Sequence, residues 1–168
     1  YLFSRQSGQI IKRISGFTNT ILNLTFSNDG SKLVVGLHTR GIEVYSTGNW
    51  SRLLQDHSYG DSCYSADWNS FGWLATCSDD GFIRLYNEHL QLIRKIKAPG
   101  GIYPFYLVFS PNDQELAVAY DDNLRVDIFS GSDLSYRHTV RMPQGDLANI
   151  IKLAWSADGQ HLYGGGEL

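Results

Sequence analysis

The stretch CSDDGFIRLYN, residues 77–87, decides how the rest of the chain is interpreted. Small and acidic residues lead to a glycine, after which apolar residues alternate with an arginine up to the aromatic ring of Tyr86. Such alternation after a turn is typical of a half-buried β-strand. The stretch therefore predicts a tight turn followed by a strand that ends on a large aromatic side chain.

The same strand ending recurs at a regular distance along the chain. The segments YLFS, EVYS, RLYN and DIFS place an aromatic at intervals of 42, 41 and 43 residues: Phe3, Tyr45, Tyr86 and Phe129. A second series of aromatics has intervals of 42, 41 and 46 residues: Phe26, Trp68, Phe109 and Trp155. A repeat of about 40–45 residues with several strand-like segments is the sequence pattern of a β-propeller blade.

Each repeat contains four predicted strands, which we call a, b, c and d in chain order. Strand a is predicted at 20–27, 62–69, 104–110 and 149–156, and strand b at 32–38, 73–78, 115–120 and 160–165. Strand c is predicted at 41–46, 82–87 and 124–130, and strand d at 9–14, 51–55, 90–96 and 135–141. The turns between strands a and b are rich in Asn, Asp and Gly, which favour tight turns. The pattern predicts an all-β fold of antiparallel hairpins.

The repeat resembles the WD repeat, and residues 77–87 are its most faithful copy. In that family, strand c closes on Trp-Asp after a Ser-x-Asp motif, and Ser78, Asp80 and Tyr86-Asn87 occupy those places here. The resemblance implies a β-propeller of four-stranded antiparallel blades, with about four blades of a partial ring in this chain. Other propeller families, including the TolB-like repeats, use a similar turn after an aromatic, so the subfamily stays open.

The resemblance covers nearly the whole chain and implies one partial propeller. Its predicted parts are a blade remnant at 1–14, blades at about 20–55, 62–96 and 104–141, and an incomplete blade at 149–168. The sequence has no initiating methionine and stops at YGGGEL within a predicted strand. We therefore expect an excerpt of a longer polypeptide, in which the remaining blades or a second copy are needed to close the ring.

WD repeats contain a buried set of hydrogen-bonding residues from the segment before strand a, from strand b and from strand c. The matching positions of the third blade are His57, Thr76, Ser78, Asp80 and Tyr86. The resemblance thus implies a buried His57–Asp80 pair with a structural role. A catalytic dyad is the alternative, but the candidate nucleophiles Thr76 and Ser78 lie within a strand and not at an exposed turn.

In WD-repeat propellers, partners commonly contact the loops that join strands b and c and strands d and a, on one face. The resemblance places seven residues there: His38, Asp79, Asp122, Thr20, Ser62, Tyr103 and Asn149. Three tyrosines lie close by in sequence, and tyrosine is enriched at interfaces: Tyr59, Tyr64 and Tyr106. We expect this mildly acidic face to bind a protein or peptide of basic character. The alternative is a set of ordinary solvated loops.

The composition argues against several other functions. A net charge of -3, from 14 basic and 17 acidic residues, provides no basic patch for nucleic acid or an anionic membrane. The five histidines lack metal-ligand spacing, and the glycine runs at 100–101 and 164–166 do not form a phosphate-binding loop. We therefore expect no catalytic residue, metal or cofactor, and no nucleic-acid or membrane partner.

The two cysteines, Cys63 and Cys77, flank a short turn. A bridge between them is geometrically conceivable, but two buried reduced thiols are favoured, and with them a cytoplasmic location. The expected function is a non-catalytic protein–protein interaction scaffold or sensor module of WD-repeat type. Two alternatives stay open: the propeller portion of a multidomain signalling enzyme, or a purely architectural subunit of a larger assembly.

Overall fold

The computed structural model describes residues 1–140 and 149–167, which form β-strands joined by turns and contain no helix. The strands are β1 (Leu2–Phe3), β2 (Ile10–Lys12), β3 (Ile21–Phe26), β4 (Lys32–Leu37), β5 (Gly41–Ser46), β6 (Arg52–Asp56), β7 (Ser65–Trp68), β8 (Leu74–Cys77), β9 (Phe82–Tyr86), β10 (Leu92–Lys97), β11 (Pro104–Phe109), β12 (Glu115–Tyr120), β13 (Val126–Ser130), β14 (Tyr136–Val140), β15 (Lys152–Trp155) and β16 (Leu162–Gly165). Residues 141 and 168, at the ends of two predicted blades, lie outside the described residues.

The described strands form five antiparallel sheets, numbered 1 to 5 in chain order. Three of them have four strands in sequence order: sheet 2 (β3-β4-β5-β6), sheet 3 (β7 to β10) and sheet 4 (β11 to β14). The described parts of sheets 1 and 5 are two-stranded, β1-β2 and β15-β16. Every pair consists of neighbours in the chain and is antiparallel. The predicted all-β fold of four-stranded antiparallel meanders is confirmed.

The same kind of side-chain cap stabilises the turn between strands a and b in sheets 2, 4 and 5. In sheet 2, the hydroxyl of Ser27 and the backbone N–H of Ser31 donate to Asp29. These hydrogen bonds lower the pKa of Asp29 below its usual value, and the one from Ser27 has the largest effect. Side-chain oxygens that accept from the backbone two residues later stabilise such turns. Asn112 and Asp158 do the same in sheets 4 and 5.

The hydrophobic cores lie between neighbouring sheets. The core between sheets 2 and 3 joins Val34, Ile42 and Val44 to Ala66, Trp68 and Leu74, all at most 4 % exposed. Similar cores fill the spaces between sheets 3 and 4 and between sheets 4 and 5. Burial of apolar side chains is the main stabilising contribution to such stacks, so each sheet depends on its neighbours.

The innermost strand of each sheet packs against the sheet before it. The indole N–H of Trp68 donates to the Thr25 carbonyl of sheet 2 over 3.2 Å, and that of Trp155 donates to the Val108 carbonyl of sheet 4 over 3.4 Å. Phe26 stands at the equivalent place in sheet 2 and is 49 % exposed. The described strands of sheet 1 therefore leave the first strand of sheet 2 uncovered.

Candidate functional site

The turns between strands b and c meet the segments that precede strand a, and together they form what we call the upper face. The same backbone bond builds it in three sheets: the amide N–H groups of residues 38, 79 and 121 donate to the carbonyls of residues 20, 62 and 103 over 2.9, 3.0 and 3.0 Å. The lower face, at the opposite ends of the strands, carries the a–b and c–d turns. The structure thus brings the two predicted sets of loops together.

The predicted position of Asp122 is corrected by one residue. Six residues separate the paired ends of β12 and β13, whereas five separate those of β8 and β9. Because of the longer turn, Asp121 and not Asp122 matches Asp79, and the Asp121 N–H bonds the Tyr103 carbonyl. Asp122 instead accepts the N–H of Ile102 over 2.9 Å. Asp122 therefore fixes the loop that carries Tyr103.

Acidic groups concentrate around Asp79 on the upper face. Burial and three nearby carboxylates raise the pKa of Asp79 to about 6: Asp61, Asp121 and Asp80. The Oδ1 atom of Asp79 is buried without a hydrogen-bond partner among the described residues. A carboxylate in this setting titrates closer to neutral pH than an ordinary aspartate. The charge of the upper face consequently depends on pH in the mildly acidic range.

The predicted surface residues differ widely in exposure. Thr20, His38, Tyr103 and Asp122 are exposed; Asp79, Tyr64 and Tyr106 are half-buried; Ser62, Asn149 and Tyr59 are buried. The buried ones have internal partners: the Ser62 hydroxyl contacts Nδ1 of His38 at 2.6 Å, and the Asn149 amide donates to Asp121 over 2.9 Å. Only part of the predicted set can contact a partner directly, with Tyr103 its most exposed tyrosine at 43 %.

Tyr59 belongs to a buried hydrogen-bond network in sheet 3 and not to the surface. Its hydroxyl lies 2.7 Å from the Thr76 hydroxyl and 3.0 Å from that of Tyr86. Tyr86 in turn donates to Asp56 over 2.7 Å, so the Tyr59 hydrogen points to Tyr86. Burial raises the pKa of Asp56, but hydrogen bonds from Ser58 and Tyr86 outweigh it and hold that pKa below the usual value. The chain of hydroxyls therefore ends on an ionised carboxylate.

A buried ion pair adjoins this network. Arg84 is fully buried, and its guanidinium donates to both carboxylate oxygens of Asp80. The guanidinium carbon lies 3.7 Å from the centroid of the Tyr59 ring, which places the cation over the aromatic face. Asp80 also accepts the backbone N–H groups of Gly60 and Phe82 at 3.0 and 3.1 Å. Arg84 thus joins strand c to the segment before strand a.

The predicted pair of His57 with Asp80 is replaced by these contacts. His57 lies 3.5 Å from Glu43 Oε1 and bonds the side chain of Gln55, and its own side chain is 28 % exposed. The ring that packs inward comes two residues later, at Tyr59. Arg84 fills the space beside Asp80, so an imidazole has no place there.

Ser78 lies next to the network and has a local role. Its hydroxyl donates to the Asp61 carbonyl over 3.1 Å and accepts the backbone N–H of Asp80 over 3.2 Å. Arg84 and Asp56 were not among the residues predicted for this set. Arg84 and Tyr86 share one side of strand c because side chains alternate, and this was the signal for Arg84. Asp56 is the last residue of β6, and nothing in the sequence there indicated that its side chain accepts a buried hydrogen bond.

We expect Tyr59→Phe to lower the free energy of unfolding by about 1–2 kcal/mol, because it removes a buried hydroxyl with two partners. His57→Ala is the matched change two residues away, and we expect it to cost at most about 0.5 kcal/mol, since His57 is partly exposed. Chemical denaturation of both variants measures the difference. A larger loss for His57→Ala would contradict the assignment of Tyr59.

The two cysteines lack the surroundings of a reactive thiol. Cys63 and Cys77 are both buried and free, as predicted, and burial raises the pKa of Cys63 to about 12, which disfavours a nucleophilic thiolate. Within residues 1–140 and 149–167, no group of three or more His, Cys, Asp and Glu side chains is arranged to hold a metal ion. The same residues include no helix long and apolar enough to cross a bilayer.

Comparisons with known proteins agree with this architecture. Residues 48–87 match the family model described as WD domain, G-beta repeat. A search of curated proteins finds no match. A chain of the crystal structure of the mitotic checkpoint complex is similar in fold, with a TM-score of 0.79 and 19% identity over 93% of this chain. The protein spans 49% of that chain, or about half its length.

Proposed function

Because residues 48–87 match the WD-repeat model and the fold is similar to that of a chain in the mitotic checkpoint complex, we propose that the protein is a WD-repeat propeller and a non-catalytic, cytoplasmic interaction module. Its upper face binds a basic segment of a partner protein. The cluster of carboxylates around Asp79, beside the exposed Tyr103, carries this proposal. Complementary charge steers association and selects partners, and exposed tyrosine supplies apolar area with a polar end. Two buried free thiols favour the reducing cytoplasm.

The carboxylate cluster supports a basic partner because the negative charge of Asp79 is unfavourable in the free protein. Desolvation and like charges oppose the ionisation of Asp79, and the attraction of a bound cation favours the ionised form. Asp121, which is exposed, lies close enough to contribute to the same field. A lysine- or arginine-rich segment is therefore a better match to this face than an acidic one.

Binding should depend on pH through Asp79. As pH falls through about 6, Asp79 takes up a proton and the upper face loses negative charge, so we expect a basic peptide to bind more weakly at about pH 5 than at about pH 7. The pKa of Asp79 in the folded protein lies above the ordinary 3.8, so folding favours the protonated form of this side chain. The contribution of Asp79 to the free energy of unfolding is therefore present below pH 3.8 and is lost as pH rises to about 6. Titrating a lysine–arginine peptide at several pH values measures the binding trend.

The variant Asp79→Asn isolates this contribution. It should flatten the part of the pH dependence that comes from Asp79, because the asparagine side chain does not titrate. Identical pH profiles for the two proteins would contradict the role of Asp79.

A cross-linking experiment tests the proposed surface directly. A photoreactive amino acid at position 103 should capture a partner that one at position 160, on the lower face, does not. Tyr103→Ala and Asp121→Lys should then weaken the purified complex without unfolding the chain. Tyr136→Ala is the matched control, since Tyr136 is 50 % exposed on the outer strand β14. A stronger loss from Gln160→Ala or Asn28→Ala, on the lower face, would reject the upper face as the binding surface.

A further inference from the structure

A groove on the lower face, between sheets 3 and 4, has the size and lining of a side-chain binding site. Its volume is about 490 Å³, within the range of about 300–1,000 Å³ typical of ligand pockets. Sheet 3 contributes the a–b turn at residues 69–73 and Glu88 from its c–d turn, and sheet 4 contributes Asp113, Gly131 and Ser132. We call this site the lower groove.

The a–b turn of sheet 3 differs from the other three in a way that serves the groove. Where sheets 2, 4 and 5 have Asp29, Asn112 and Asp158 to cap the turn, sheet 3 has Phe71. Phe71 is 71 % exposed. Its turn is capped by Asn69, whose side-chain oxygen accepts the N–H groups at positions 71 and 73. The turn is thus complete without Phe71, which leaves this exposed ring with no structural role.

The second aromatic residue of the lower groove, Trp73, and its two acids, Glu88 and Asp113, are held in place by hydrogen bonds. The indole N–H of Trp73 donates to Glu88 Oε2 over 2.8 Å. Asp113 of sheet 4 reaches across to the backbone N–H of Ser70, at 3.2 Å from each carboxylate oxygen. A Cβ at Gly131 would lie 2.2 Å from the Asp113 carbonyl, so only glycine permits this close approach. Trp73 and the two acids are therefore organised before any ligand arrives.

The described lining of the lower groove is acidic. Among its described lining residues, Glu88 and Asp113 are acidic and none is lysine or arginine. Hydrogen bonds from the backbone of Glu88 and from Trp73 hold the pKa of Glu88 below its usual value. Glu88 is about half exposed, its Oε1 atom lies 3.6 Å from the exposed His89, and the charge of Lys32 in sheet 2 also lowers its pKa. The aromatic walls and the acids are complementary to a flat, positively charged group.

We propose that the lower groove binds an arginine side chain of a partner protein. A guanidinium stacks on aromatic rings and forms paired hydrogen bonds with a carboxylate, which the compact lysine ammonium does not do. The same combination occurs inside this protein, where Arg84 lies over the Tyr59 ring and bonds both oxygens of Asp80. In the lower groove, Phe71 and Trp73 supply the rings and Glu88 the carboxylate.

Blocked tripeptides with arginine, lysine or glutamine between two glycines test the proposal on the full chain. Binding is measured by ligand-observed nuclear magnetic resonance, which detects millimolar affinities. We expect the arginine peptide to bind at least about fivefold more tightly than the other two. Phe71→Ser and Glu88→Gln should each weaken its binding by about fivefold or more.

Two matched variants control for general effects of exposure and charge. Leu53→Ser removes an exposed apolar side chain on the outer strand β6, and Glu167→Gln removes an acid far along the chain. Both should bind the arginine peptide like the unaltered protein. Absence of arginine binding, equal binding of the lysine or glutamine peptide, or equal losses in the control variants would each overturn the proposal. Loss of the upper-face partner has no bearing on these outcomes, because the two faces are tested separately.

Discussion

Arg84→Met should lower the free energy of unfolding by about 3–5 kcal/mol, because it leaves Asp80 as an uncompensated charge in the interior. Arg84 is 0 % exposed, and its partner side chain is 8 % exposed. Methionine keeps most of the volume, so the loss reports mainly on the charge. Denaturant titration followed by tryptophan fluorescence measures it.

Arg52→Met is the matched control for this prediction. Arg52 also approaches an acid, Glu43, at 3.5 Å, but its own side chain is 47 % exposed, and the buried Glu43 also accepts the hydroxyl of Tyr45. We therefore expect Arg52→Met to cost at most about 1 kcal/mol. The double change Arg84→Met with Asp80→Asn should recover part of the stability, since no buried charge then remains. A cost for Arg84→Met as small as that for Arg52→Met would contradict the buried pair.

Trp68→Ala is the second change with a large expected effect. Trp68 is 2 % exposed and fills the core between sheets 2 and 3, so its loss should cost about 3–5 kcal/mol through the cavity that it leaves. The missing indole also leaves the Thr25 carbonyl without its donor. The same denaturant titration measures the loss, followed by circular dichroism because Trp68 itself is a fluorophore.

Phe26→Ala tests the same position of the repeat one sheet earlier. Because Phe26 is 49 % exposed, we expect a cost of at most about 1 kcal/mol in the isolated chain. A cost equal to that of Trp68→Ala would mean that a further part of a longer polypeptide or a second copy covers this strand. The two variants together therefore measure how far the first strand of sheet 2 is covered in solution.

The fold could be predicted from the sequence because its strongest signals are local and repeated. Aromatics such as Trp68 and Phe109 recur at one period since each fills the space between two sheets. Turn residues such as Asp29 cap the hairpins with bonds to their immediate neighbours. The caps are local in sequence, and the aromatics make the same kind of contact with a neighbouring sheet in each repeat, so the spacing alone indicates the four-stranded pattern.

The site was harder to predict because its contacts cross between segments. Whether His57 or Tyr59 packs inward depends on where β6 ends and on the guanidinium of Arg84, which lies 25 residues beyond Tyr59. The place of Asp122 depended on a single extra residue in one turn. The lower groove needs sheet 4 as its second wall, although the aromatics of NSFGW were visible in the sequence.

The buried position of Arg84 limits how these repeats can be reused in protein design. Two residues before the strand-c aromatic, sheets 2 and 4 carry Glu43 and Asp127, both buried, where sheet 3 carries Arg84. A consensus built by averaging the repeats would select an acid at this position and set it against Asp80, so that two carboxylates would share one dry site, which is strongly unfavourable. Arg84, Asp80 and Tyr59 must therefore be transplanted as one unit.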